Sequence, residues 1–247
     1  MGALLRGTLL WLLYERKMSH ETRNILTLYK SYRAASRSRH SVSTGDCVPR
    51  RIPKKADAAT KLVTKTFSNS ALISIPEGAV FSSGSCTSTD MNIGVAAPYP
   101  SEKGVSAFPA GSRIKDINFT LKNYSHHDFP DDVDVLLAHA GKNRTVMSDV
   151  GGTSDVSNIT LVLDDEANSA LPNSGQLVGG SFKPTNFETG DGFPAPAPSQ
   201  DNRSALSGFE GQNPNKIWRL FVQDDATSDC GKVGGGWSIT IKAVVPA

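Results

Sequence analysis

From Phe67 onward, short runs of alternating apolar and polar residues follow one another along the chain. Ile117, Phe119 and Leu121 share one side of a run whose other side carries Asn118 and Thr120. Val133, Val135 and Leu137 lie together opposite Asp134, and Ile159 to Leu163 alternates in the same way. Trp237, Ile239 and Ile241 alternate with Ser238, Thr240 and Lys242. A period of two is the signature of a half-buried strand, because successive side chains leave opposite faces of the backbone. Ala71–Pro76, Thr145–Ser148 and Ile217–Val222 are further short runs of this type. Seven or eight strands separated by Gly, Pro and Asp turns predict a β-sandwich or barrel. No amphipathic helix of useful length interrupts them, which argues against an α/β fold.

Two segments depart from this pattern. Ser169–Ser204 shows no clear strand and contains Phe193-Pro-Ala-Pro-Ala-Pro198, which proline holds extended and rigid. A loop of that length in a compact domain is a packed excursion or a functional element. Residues 1–66 are low in apolar content and rich in one sign of charge, the composition of a disordered arm or linker. They hold 14 Lys/Arg against 4 Asp/Glu, whereas residues 67–247 hold 12 against 20. The net charge of +2 therefore conceals a basic arm and an acidic body. The acidic body is not expected to bind nucleic acid and suits oxygen ligation of a hard cation.

The apolar run Leu4–Leu13 is broken by Arg6 and is too short to span a bilayer as a helix. No small-x-small cleavage site follows it closely. A degraded signal, an amphipathic segment and residues ahead of a later start at Met18 all remain open. Cys47, Cys86 and Cys230 lack metal-finger spacing. Cys86 and Cys230 can pair within the body, leaving Cys47 over; three free thiols are the alternative.

The chemistry that the sequence offers is carboxylate chemistry. His20, His40, His126, His127 and His139 lack the glycine-rich settings of a subtilisin-type triad, and neither G-x-S-x-G nor H-E-x-x-H occurs. Catalytic residues are therefore not assigned. His126 and His127 read as hydrogen-bonded turn histidines, and Trp218 and Trp237 as core residues rather than sugar-stacking platforms. Asp131, Asp132 and Asp134 open one strand, Asp164, Asp165 and Glu166 end another, and Asp224, Asp225 and Asp229 precede the last. Calcium takes about six to eight oxygens, and loops at one end of a sandwich can supply them. The alternative is turn formation, since Asp side chains bond their own backbone without metal.

A set of short motifs in fixed order carries a family likeness. It includes Ile73-Ser-Ile-Pro76, Pro98-Tyr-Pro-Ser101, His127-Asp-Phe-Pro-Asp-Asp-Val-Asp134, Val146-Met-Ser-Asp-Val-Gly-Gly152 and Lys183-Pro-Thr-Asn186. It continues through Phe193–Pro198, Ser204–Phe209, Trp218–Asp225, Asp229-Cys-Gly231 and Gly235-Gly-Trp237. In this order residues 67–247 resemble the P domain (Homo B domain) of the proprotein convertase family, as it occurs in bacterial secreted proteins. Tyr124-Ser-His-His-Asp128 and the long 77–97 segment carrying Cys86 depart from that pattern.

The resemblance implies an all-β, jelly-roll β-sandwich of the galactose-binding-domain-like kind, extracellular or at the cell surface. The implied role is non-catalytic: an accessory module of subtilisin-like serine endopeptidases that supports the folding, stability or targeting of a protease domain or other secreted partner. Calcium is the implied cofactor, with Asp131, Asp132, Asp134, Asp224, Asp225 and Asp229 as ligands and Asp132 and Asp225 foremost. A serine-endopeptidase family member lacking its catalytic domain is one alternative. An adhesion or glycan-binding module without a membrane span is another.

Overall fold

The computed structural model describes residues 59–82, 84–86 and 93–247. The predicted arm lies almost wholly outside the described residues, but its boundary moves. The first strand, β1, spans Thr60–Asn69, so residues 60–66 belong to the folded body rather than to an arm. Its alternation is hard to read from sequence because β1 is an edge strand, paired only with the final strand and largely exposed.

Two large sheets form the body, and a third, two-stranded sheet pairs Phe81 with Cys86. Further strands are β2 (Ile73–Ile75), β3 (Phe81–Ser82), β4 (Ser85–Cys86), β5 (Gly94–Val95), β6 (Ser101–Val105) and β7 (Arg113–His127). After a 3-10 turn at Pro130–Asp132 come β8 (Val133–His139), β9 (Lys142–Ser148), β10 (Val156–Asp164), β11 (Gly180–Phe182) and β12 (Thr185–Asn186). A second 3-10 turn, Leu206–Phe209, precedes β13 (Lys216–Asp224), β14 (Cys230–Val233) and β15 (Trp237–Pro246). One sheet runs β1-β15-β7-β10-β11, with β14 between β2 and β7; the other runs β12-β9-β8-β13, with β5 and β6 along the far edge of β13. The chain passes repeatedly from sheet to sheet, giving the jelly-roll β-sandwich expected.

The predicted inward residues fill the space between the sheets. Ile117, Phe119, Leu121, Val133, Val135, Leu137, Trp218, Trp237, Ile239 and Ile241 all belong to one buried cluster. Burial of this apolar surface is the main force holding the sheets together. The indole nitrogens also find partners, Trp237 Nε1 donating to Ser101 Oγ at 2.9 Å and Trp218 Nε1 to the Pro214 carbonyl at 3.3 Å.

The central strand β7 is longer than its alternation shows because it changes face midway. Leu121 pairs with Trp237 of β15, but Tyr124 pairs with Val233 of β14. The Gly234–Gly236 segment bridges this step as a bulge, so β14 and β15 run one after the other along β7. Gly236 has φ +65°, and a β-carbon there would lie 2.1 Å from the Asn69 carbonyl oxygen, so no other residue fits. Beyond the step the inward positions are even-numbered: Tyr124 and His126 are both fully buried.

Sheet β12-β9-β8-β13 is covered on its outer face as well. Leu136, Ala138 and Phe221 form a second apolar cluster beneath Tyr99, Phe193 and Ala197. The strand-poor 169–204 segment is thus a packed excursion. Tyr99 lies edge-on to Phe221, ring centroids 5.1 Å apart, and donates its hydroxyl to the Pro194 carbonyl at 2.9 Å. Farther along, the buried Arg144 donates to the Ala205 carbonyl at 2.9 Å and to Asp201 at 2.8 Å. Asp134 is consequently buried, although it points away from the main core.

This packing makes a direct prediction. Phe221→Ala is expected to cost about 3–5 kcal/mol, the usual range for a buried aromatic. Urea unfolding measures the loss, and limited proteolysis should then cut within residues 191–203.

Candidate functional site

The six aspartates expected to hold calcium come to one end of the sandwich but on two sides of a sheet. Asp224 and Asp229 face the interior, where β7, the 130–132 turn, β13 and β14 converge, and the half-buried Asp131 and Asp132 stand at its rim. Asp134 faces outward from β8, and Asp225 follows the end of β13 toward that side. The backbone makes this junction rigid: Asp225 N donates to the Asp132 carbonyl at 3.0 Å, and Asp224 pairs with Val133.

The outward group contains only oxygen donors. Carboxylate oxygens of Asp134, Asp149 and Asp191 lie within 4.8 Å of one another. Ser148 Oγ lies 2.8 Å from Asp149 Oδ2 and 3.2 Å from Asp191 Oδ2, and Glu188 N donates to that Asp149 oxygen at 3.2 Å. Gln223 donates to Asp134 Oδ2 at 2.9 Å. Burial, above all, raises the Asp134 carboxyl to about 7, opposed by its hydrogen bonds and reinforced by Asp191 and Asp225. Asp225 is raised too, by burial first and then by Asp191, Asp149 and Asp224. Asp149 and Asp191 were not among the expected ligands; Asp191 lies in the segment without strand signals.

The inward group is deeper and chemically mixed. Nε2 of His126, with carboxylate oxygens of Asp224 and Asp229, forms a set within 4.8 Å, and all three residues are buried. His126 had read as a turn residue; the face change in β7 places it inside instead. A repeat of period two from Tyr124 to His126, offset by one from Ile117–Leu121, is the signal that locates it. His126 Nδ1 lies 2.7 Å from the Asp128 carbonyl, and Nε2 lies 3.6 Å from Asp224 Oδ2. Gly231 makes room for the ring: a β-carbon there would sit 2.3 Å from His126 Cδ2.

Like charges crowd this end. Burial raises Asp229 to about 8, assisted by Asp224 and Asp132. Burial raises Asp132 to about 6, followed by the charges of Asp131, Asp224 and Asp225. The buried Tyr124 hydroxyl is held well above its ordinary value by burial and then by Asp224 and Asp229. One covalent tie lies next to the group, the Cys86–Cys230 disulfide with Cα atoms 5.8 Å apart. Disulfides persist in oxidising compartments.

Other acidic residues act as turn formers. Asp165 accepts from Leu206 N at 2.8 Å and Ser207 N at 2.7 Å, fixing the second 3-10 turn. Asp164 accepts from Glu166 N at 2.9 Å and from Asn118 at 3.0 Å. Among the described residues no helix is long and apolar enough to cross a membrane. Comparison with protein-family models, with curated proteins and with solved structures found no match.

The carboxyl shifts set a pH dependence. Asp132 and Asp229 hold their protons in the folded state at pH values where the unfolded chain, with carboxyls near 3.8, has lost them. Their contribution to stability is full below about 3.8 and is lost as pH rises through about 6 and about 8. In chelator, the melting temperature should therefore fall between pH 5 and pH 8, and Asp229→Asn should flatten that fall. A second expectation concerns the ring pocket: Gly231→Ala should destabilise the protein by about 1–3 kcal/mol, the usual cost of overpacking, measured by urea unfolding.

Proposed function

We propose that this protein is a secreted, non-catalytic accessory β-sandwich of the P-domain type, carried with or acting beside a subtilisin-like protease and supported by calcium. The observation that carries this reading is the outward all-oxygen group. Asp134, Asp149 and Asp191, with the Ser148 hydroxyl, would hold the cation, since carboxylate and hydroxyl oxygens are what calcium selects. Calcium bound there would supply positive charge that offsets the desolvation of the buried Asp134 carboxyl. The residues themselves join β8, the end of β9 and the proline-rich segment, so an ion held by them would fasten that segment to the sheet.

The order of motifs in residues 67–247 supports the same assignment, as do the jelly-roll architecture and the disulfide. A module of this construction offers a partner a rigid surface. Its chemistry-bearing side chains are spent on holding the sandwich together.

Thermal unfolding of the full chain in millimolar calcium and in chelator tests the reading. A metal that binds only the folded state adds about 2.7 kcal/mol at a hundred times its dissociation constant. For a chain of this size each kcal/mol moves the midpoint by roughly 2–4 °C. The midpoint should rise by several degrees with calcium, and Asp191→Asn should abolish the rise. No rise in the parent chain overturns calcium support, and casein hydrolysis by the purified chain overturns the accessory role.

A further inference from the structure

Three buried atoms at the inward group lack a hydrogen-bond partner while the carboxyls are ionised: His126 Nε2, Asp224 Oδ2 and Asp229 Oδ1. A proton held by Asp229 is shared with Asp224 and Asp132 and leaves His126 Nε2 without a partner. Leaving one such polar atom unsatisfied costs roughly 1–3 kcal/mol, and more when the group is charged. Three of them facing one another on fully enclosed side chains therefore call for a common partner. We propose that His126, Asp224 and Asp229 form a mixed nitrogen–oxygen binding site for a first-row transition-metal dication of the zinc class.

The imidazole is oriented as a ligand. Its Nδ1 faces the Asp128 carbonyl at 2.7 Å, and a carbonyl only accepts, so Nδ1 carries the hydrogen. In the neutral ring the Nε2 lone pair then points at the carboxylates. Metal-binding histidines are characteristically fixed this way, with the other ring N–H held by a carbonyl or carboxylate. The ring cannot turn away, because Gly231 lies against one edge, and Tyr124 stacks beside it with ring centroids 6.3 Å apart.

Spacing and charge agree. Around a tetrahedral zinc with bonds near 2.1 Å, neighbouring ligand atoms sit about 3.4 Å apart. His126 Nε2 and Asp224 Oδ2 are 3.6 Å apart, too far for a good hydrogen bond and suited to a shared cation. Asp224 is free to offer Oδ2 because its Oδ1 already accepts from Ala226 N at 3.2 Å. A plain imidazolium–carboxylate pair would supply one positive charge to an end crowded by Asp224, Asp229, Asp131 and Asp132, and would leave Asp229 to be neutralised by a proton, whereas a dication supplies two charges at the same point.

The nitrogen ligand decides the metal class. Calcium and magnesium prefer oxygen, whereas imidazole suits zinc and its first-row neighbours. The site is thus chemically distinct from the outward all-oxygen group. It does not depend on the calcium reading, and the two fail separately. It also occupies a structural crossing. His126 lies one residue from the end of β7, Asp224 ends β13, and Asp229 immediately precedes Cys230 of the disulfide, so one ion would tie both sheets beside the covalent link.

The test uses the full chain in a Cys47→Ser background, which removes the thiol outside the disulfide as a competing ligand. Stripped protein is dialysed against zinc sulfate with 5 mM calcium chloride present, and bound metal is measured by mass spectrometry. About one equivalent of zinc is expected, retained despite calcium. Cobalt in its place should give weak visible bands without the intense near-ultraviolet absorption of thiolate ligation. His126→Gln and Asp229→Asn should each weaken zinc binding by more than the roughly 10–100-fold that follows loss of an outer-shell partner. Asp191→Asn should leave zinc binding unchanged. Circular dichroism confirms that the variants fold; Asp229→Asn, which keeps the side-chain shape, decides the matter if His126→Gln does not. Absence of tightly bound zinc in the folded parent, or zinc binding indifferent to Asp229→Asn, overturns the proposal.

Discussion

Acidic side chains crowded where water has little access are the constraint around which one end of this sandwich is organised. Asp134, Asp224 and Asp229 are buried on or beside strands whose pairing holds them in place, and the half-buried Asp132 borders them. Asp224 is locked by pairing with Val133, and Asp132 by the bond from its carbonyl to Asp225 N. Mutual repulsion and the cost of desolvation push the same way, raising the Asp132, Asp134 and Asp229 carboxyls together. Much of the local architecture answers this pressure: the Gln223 and Ser148 contacts on one side, the inward imidazole of His126 on the other.

The remainder of the molecule is built conventionally, and that contrast is informative. Away from the acidic end the space between the sheets is almost purely apolar, with both indole nitrogens satisfied. Residues chosen only for stability would extend that pattern to the end of the sandwich. Buried ionic groups add little net stability, and strongly perturbed ionisable groups gather at functional sites.

Much of the fold was legible in the alternation of residues 114–121, 133–137, 159–163 and 237–242, because each strand there packs one face on the core. Legibility failed where tertiary context replaced periodicity. β1 has little buried surface to leave a trace, and β11 and β12 span three and two residues, too few for any pattern. The step in β7 inverted the faces beyond Leu121, and so His126 was read as a turn residue. For the site, the identities of the six aspartates were legible but their grouping was not. Asp134 and Val135 are neighbours in sequence that face opposite sides of a sheet, and Asp191 reaches its partners only because Phe193 and Ala197 anchor the segment that carries it.

The pairing of β1 with β15 has a mechanical consequence. The two strands are antiparallel and in register from Thr60 opposite Pro246 to Asn69 opposite Trp237. Ala247 N also donates to the Ala59 carbonyl at 2.9 Å, so the two ends of the body leave side by side. Tension applied between those ends would load the ladder one rung at a time, as a zipper opens, rather than shearing ten rungs at once. The domain would yield first by peeling its edge strand under modest force. The disulfide, the acidic end and the core would stay intact, leaving a joint that can give and reclose.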